Sequence, residues 1–134
     1  MSSKAKGSRA ERELLSMFWE NNFAGFRAPG SGSTPLPSPD ILVGNGKRYL
    51  AIECKSIKTK AKYLEPEQIK ELLDFSKKFG AEPLIGVRFN NIGWYFIHPN
   101  KLEKTKNGSL IASLEFLQEK GLKFEDLIKW LKLF

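Results

Sequence analysis

The chain has 134 residues and a net charge of +7, long enough to bury the core of one domain. Its single cysteine excludes an internal disulfide framework, and no apolar run reaches the roughly 20 residues of a membrane span. The polar, basic N-terminus carries no signal-type apolar segment, so a cytoplasmic protein is expected. Residues 1–106 hold 18 Lys/Arg against 11 Asp/Glu, whereas residues 107–134 hold 4 against 4. That asymmetry predicts a polyanionic partner for the front of the chain, although a pI near 9.5 also fits a basic protein without one.

Residues 1–7, with Lys4 and Lys6, read as a mobile basic arm, and a helix is predicted from Ser8. Ala10, Leu14, Leu15, Phe18 and Trp19 lie on one side of that helix, which ends near Asn21-Asn22. Ser8 and Glu11 have the spacing of a capping box, in which Glu11 bonds back to the Ser8 amide. Phe23–Ala28 reads as a strand. In the next stretch, 29–39, Gly30 and Gly32 stand among Pro29, Pro35, Pro37 and Pro39, which excludes helix and central strand. Taken alone it is a surface linker, while its hydroxyls and amides also suit contact with phosphate.

Two short apolar runs, Pro39–Val43 and Tyr49–Lys55, then flank Gly44-Asn45-Gly46 and predict a β-hairpin. The pleat puts Tyr49, Ala51, Glu53 and Lys55 on one face and Leu50, Ile52 and Cys54 on the other. With Val43 paired to Leu50, constant register sets Asp40 opposite Glu53, and the Lys55 ammonium stands beside both. Two carboxylates in one site resist joint ionisation. A hard divalent cation such as Mg²⁺, bound through their oxygens, relieves that. The residues also allow a plainer reading, a Glu–Lys pair on a strand surface. Cys54 belongs to the apolar face, as a small core residue rather than a nucleophile.

Lys58, Lys60 and Lys62 align on one face if the strand continues, either as a solvated edge or as a row of phosphate contacts. A second helix starts with Pro66 in its first turn and stops at Gly80, with Ile69, Leu72, Leu73, Ser76 and Phe79 as its core face. Gln68 faces either the site or solvent. Pro83–Phe89 and Ile92–Ile97 make another hairpin, and the lone His98 beside Pro99 reads as structural. Ser109–Ser113 reads as a short strand and Phe124–Phe134 as an amphipathic helix. The spacing contains no zinc signature and no phosphate-binding glycine loop.

Pro39-Asp40, a spacer of 12 residues and then Glu53-Cys54-Lys55 resemble the PD-(D/E)XK nuclease signature. Around it stand Gly7-Ser8-x-x-Glu11-Arg12-Glu13, the run Arg27-Ala28-Pro29-Gly30-Ser31-Gly32-Ser33, and Leu84-Ile85-Gly86-Val87 ahead of Trp94-Tyr95-Phe96-Ile97. With these, the chain resembles the archaeal Holliday junction resolvase family over most of its length. The resemblance implies a single α/β nuclease domain over 1–134, with a restriction-endonuclease-like mixed central β-sheet flanked by α-helices. It implies hydrolysis of four-way DNA junctions by paired cuts, with Mg²⁺ (Mn²⁺ substituting), in a homodimer associated with the nucleoid when on DNA. Asp40, Glu53 and the main-chain carbonyl of Cys54 then hold the metal, and Glu11 completes the shell or serves a second ion. Lys55 stabilises charge on the attacked phosphate or orients water, and Ser31 positions DNA. The remaining DNA contacts fall to Lys4, Lys6, Arg9, Arg12, Arg27, Lys58, Lys60 and Lys62.

Two other readings compete: a nuclease of the same superfamily acting on duplex DNA, and a catalytically silent DNA-binding module. The second is opposed by the presence of Asp40, Glu53 and Lys55 together, since carboxylates repel phosphate unless a metal intervenes. For the dimer face, the aromatic-rich tail (Phe116, Phe124, Trp130, Phe134) with Trp94 and Phe96 is the expected patch.

Overall fold

The computed structural model describes residues 3–29 and 35–133, and the side chains from residue 7 onward within them. Ser31 and the side chains of Lys4 and Lys6 therefore lie outside the described residues. The chain opens with helix α1, Ser3–Trp19, which buries Ala10, Leu14 and Phe18 along one stripe. It starts five residues ahead of the expected Ser8, because Lys4, Ala5 and Lys6 are strong helix formers and carry the first turn upstream. Ser8 is thus a helix-interior residue, and the capping box does not form. Asn22 ends the helix with φ at 67°, a left-handed conformation that asparagine tolerates, and the Phe23 N–H donates to the Phe18 carbonyl at 3.1 Å.

Strand β1 (Ala24–Arg27) is followed by β2 (Ile41–Gly44) and β3 (Tyr49–Ile57), the predicted hairpin. Its turn is set by Asn45, whose Oδ1 accepts from the Lys47 and Arg48 N–H groups at 2.9 and 2.7 Å, and by Gly46 at φ 91°. Val43 pairs with Leu50, as the register requires. Strand β4 (Ala61–Tyr63) and helix α2 (Pro66–Phe79) lead to β5 (Glu82–Phe89), which runs parallel to β3 from Leu50↔Glu82 to Ile57↔Phe89. A parallel strand covered on both faces reads as a continuous apolar run, and Leu84, Ile85, Val87 and Phe89 are all buried. Gly86 interrupts that run because a Cβ there would stand 3.0 Å from the Phe96 ring.

Strand β6 (Gly93–Ile97) returns antiparallel to β5, then come a 3₁₀ turn (Pro99–Lys101), β7 (Glu103–Lys104), β8 (Leu110–Ser113), α3 (Leu114–Lys120), β9 (Leu122–Lys123) and α4 (Phe124–Leu133). The main sheet has the order β1-β2-β3-β5-β6-β9, and a small second sheet has the order β4-β8-β7. Leu14, Phe18, Leu50, Ile52, Phe96, Leu127 and Leu131 form the core on the α1/α4 face. Ala51, Ile69, Leu72, Ile85, Val87 and Leu117 form the core on the α2/α3 face. This is the mixed, helix-flanked sheet expected. Among the described residues no helix is long and apolar enough to cross a membrane.

Three further expectations are corrected. The lysine row is not one strand: β3 stops at Ile57, Lys58–Lys60 bend, and Lys62 sits on β4 in the other sheet. Trp94, Phe96 and Phe124 are buried in the α1/α4 core, so they cannot form an exposed dimer patch, and Phe134 lies outside the described residues. Phe79 is not on the core face of α2: it is 56% exposed and stacks on Phe75 at 5.3 Å. His98 is structural, its Nδ1 accepting from the Asn100 N–H at 3.0 Å at the head of the 3₁₀ turn.

Candidate active site

Strands β2 and β3 part company at Ile41↔Ile52, the last pair of their ladder. Beyond it, among the described residues, no strand pairs with the β2-side edge of β3, and Asp40 occupies that edge. Its backbone carbonyl accepts from the Ala28 N–H at 2.9 Å, and its Oδ2 accepts from the Cys54 N–H at 2.7 Å. A strand residue's N–H and C=O point to the same edge, so the Cys54 carbonyl faces the same side as Asp40. Glu53 and Lys55 project from the α2 face of β3, with Lys55 Nζ 3.7 Å from Glu53 Oε2. The Lys55 ammonium also donates to Gln68 Oε1 on the first turn of α2, at 2.6 Å. From α1, Glu11 Oε1 meets Arg27 Nε of β1 at 3.3 Å.

Burial dominates the electrostatics. It raises the Glu53 carboxyl to about 8, helped by the negative charge of Asp40 and opposed by Lys55. Burial also raises Asp40, although the Cys54 N–H and the Lys55 charge pull the other way. Glu11 is raised by burial and then by Asp40, with Arg27 opposing. Burial pushes the Cys54 thiol up as well, which leaves it a neutral core group rather than a thiolate. Two half-buried carboxyls side by side, whose joint ionisation burial opposes, form a set of oxygens suited to a hard divalent cation. Among the described residues, no three Asp, Glu, His or Cys side chains gather as a ready-made metal cage. A hard cation placed here would meet the oxygens of Asp40, Glu53 and the Cys54 carbonyl, while Glu11 is engaged by Arg27.

The protonation of Glu53 carries a stability consequence. Its folded value lies above the ordinary 4.5, so between about 4.5 and 8 the native state binds more protons than the unfolded chain. Stability of the metal-free protein should fall as pH rises through that window, by an amount on the order of a few kcal/mol. Thermal melts in chelator at pH 5.5 and pH 8 should show the drop, and Glu53→Gln should flatten it. Added Mg²⁺ should raise the melting temperature more at pH 8 than at pH 5.5. A metal-free protein equally stable at both values would contradict the buried-pair reading.

The structure thus brings Asp40, Glu53, Lys55 and the Cys54 backbone together, with Glu11 and Arg27 alongside. Ser31 lies outside the described residues. Arg9 and Lys58 line a recess with Glu13, Ser56, Arg88 and Asn90, apart from the carboxylates. A network there was not anticipated: Glu13 Oε2 accepts from Arg88 Nε at 2.8 Å and Trp94 Nε1 at 2.7 Å. Burial pulls the Glu13 carboxyl up, but those two donors outweigh it and hold the group below its usual value. No local signal announces a contact spanning 75 residues.

The family model described as archaeal Holliday junction resolvase (Hjc) matches residues 2–133. The chain belongs to the archaeal Holliday junction resolvase family. A relative named crossover junction endodeoxyribonuclease Hjc, from Archaeoglobus fulgidus, is 42% identical over 103 residues, covering 77% of this chain and 76% of its own. One of the same name from Sulfolobus acidocaldarius is 34% identical over 134 residues, covering 98% of this chain and 92% of its own. The solved structure of A. fulgidus Hjc, titled a Holliday junction resolvase from an archaeal hyperthermophile, superposes with a TM-score of 0.81 at 34% identity. That match covers 91% of this chain and 99% of the other. In this resolvase-family chain, the carboxylate pair at the end of the β2–β3 ladder is the feature that can hold the metal such a nuclease needs.

Proposed function

We propose that the protein is a Mg²⁺-dependent endodeoxyribonuclease that resolves four-way DNA junctions. The observation that carries this reading is the buried Asp40–Glu53 pair with Lys55 beside it, in a chain of this family. When bound, a divalent ion would supply an acidified water and neutralise charge on the attacked phosphate. Asp40, Glu53 and the Cys54 carbonyl would hold it. The Cys54 N–H fixes the Asp40 carboxylate, and Lys55 aims an N–H at the charge that develops on the phosphate. Arg27 holds Glu11 at the rim, and Arg9, Arg12 and Lys58 supply positive charge for the DNA backbone. Lys60 and Lys62, separated from the site by the break after β3, contact a more distant part of an arm. A labelled synthetic junction, incubated with Mg²⁺ and with chelator in the presence of excess linear duplex, tests the reading. Metal-dependent cutting of the junction alone supports it, and preferential cutting of the duplex overturns it.

Paired cuts on symmetry-related strands require two sites, and one chain supplies one, so the active form is a homodimer. With Trp94, Phe96 and Phe124 in the core, Trp130 is the exposed aromatic of the expected patch, capped by Arg48 at 4.3 Å, and the stacked Phe75–Phe79 pair on α2 offers a second exposed aromatic surface, which we assign to that interface. Light scattering should give about twice the 15.2 kDa chain mass, and Phe79→Asp should halve it. An unchanged mass in that variant would place the interface elsewhere.

A further inference from the structure

The geometry points to Gln68 as a positioning residue for Lys55, a role that rests on the nuclease reading above and extends it to a side chain outside the metal site. An ammonium has three donors and no acceptor, so the amide oxygen of Gln68 is the group that faces it, at 2.6 Å. The Glu53 carboxylate is farther, at 3.7 Å. Lysine carries a flexible four-carbon stem and about 2 kcal/mol of rotamer freedom. A side chain that must meet a transient charge works best when that freedom is removed in advance. Gln68 can remove it because its own backbone is fixed. It lies in the first turn of α2, its N–H donating to the Glu65 carbonyl at 3.1 Å, and its neighbour Ile69 is buried in the same core as Ala51 and Ile57 of β3. Helix and strand are thus locked together, and the two polar side chains meet above that contact. With one N–H held by Gln68 and another turned toward Glu53, the third is left for the phosphate.

Gln68→Met keeps length and removes the acceptor, and Gln68→Glu restores an oxygen. Under single-turnover conditions the Met variant should cut the junction about tenfold more slowly, with junction affinity unchanged within twofold. The Glu variant should recover most of the rate while binding DNA more weakly, because it adds a negative charge. In a Lys55→Ala background, Gln68→Met should cost nothing further. An equal tenfold loss there, or a loss in affinity rather than rate, would show that Gln68 acts on DNA directly and would overturn the assignment. If Lys55→Ala itself leaves the rate intact, the role of Lys55 fails instead, a distinguishable result. A readout independent of cleavage is the Lys55 ammonium signal in ¹⁵N-lysine-labelled protein. It should be visible in the wild type, lost to solvent exchange in Gln68→Met and restored in Gln68→Glu. Its persistence in the Met variant would also overturn the role.

Discussion

Asp40→Asn and Glu53→Gln should each take junction cleavage below detection while leaving junction affinity equal to or better than that of the wild type. Both substitutions keep shape: Asp40→Asn removes a negative charge, and Glu53→Gln removes the charge that the raised Glu53 carboxyl takes on as pH passes about 8, so the phosphate backbone meets no more repulsion than in the wild type. Asparagine can still accept the Cys54 N–H through its amide oxygen, so the end of the β2–β3 ladder survives in Asp40→Asn. Glu53→Gln also relieves the burial of a second carboxyl next to Asp40, so that variant should melt at a higher temperature than the wild type at pH 8. Loss of cleavage with gain in stability is the combination expected of a functional pair kept against the preference of the fold, and it separates a chemical defect from a folding one. Cleavage assays, gel-shift titrations and melts on the same preparations provide the three readouts. Full cleavage by Asp40→Asn would sink the metal-site assignment, and a less stable Glu53→Gln would sink the electrostatic account of it.

The site was legible in the sequence to the extent that local rules fix it. Asn45 and Gly46 specify the turn, the turn specifies the register, and the register alone puts Asp40 across from Glu53. What failed were readings in which a local pattern competed with something stronger. The Ser8–Glu11 spacing is a valid capping box, but helix-forming residues upstream moved the start to Ser3 and freed Glu11 to meet Arg27. The lysine spacing after Lys55 would line a strand, but β3 ends where the Ile57 carbonyl accepts from Asn90, and the chain turns into a second sheet. The strands of that sheet are two to four residues long, too short to show an alternation. Aromatic content could not say which rings face inward. Trp94 and Phe96 are claimed by the α1/α4 core, while Phe79, the last residue of α2, is left outside and stacks on Phe75. Gln68 stood open because its direction depends on where the crossover sets α2 against β3, a tertiary fact.

Lys55→Ala should lower the single-turnover rate by roughly 10²–10³-fold, the usual effect of removing one electrostatic stabiliser from a water-poor site. Among the described residues, Lys55 is the side-chain cation with both a salt bridge to Glu53 and a neutral anchor, Gln68. Its side chain is only 19% exposed, so the charge acts through a medium that screens it weakly. The loss should appear in rate rather than affinity, because one half-buried ammonium adds little to a binding surface made of many exposed cations. Lys55→Arg should recover only part of the rate: a planar guanidinium keeps the charge but cannot place a single N–H between Gln68 and Glu53 as a compact ammonium does. Removing Lys55 also withdraws a charge that opposes protonation of Glu53. The Glu53 carboxyl should therefore rise further, and the variant should require more Mg²⁺ than the wild type to reach half its maximal rate. A metal titration of the cleavage rate at fixed pH measures both effects at once. A Lys55→Ala variant with wild-type rate, or with an unchanged metal requirement despite its lower rate, would break the link between this lysine and the carboxylate pair.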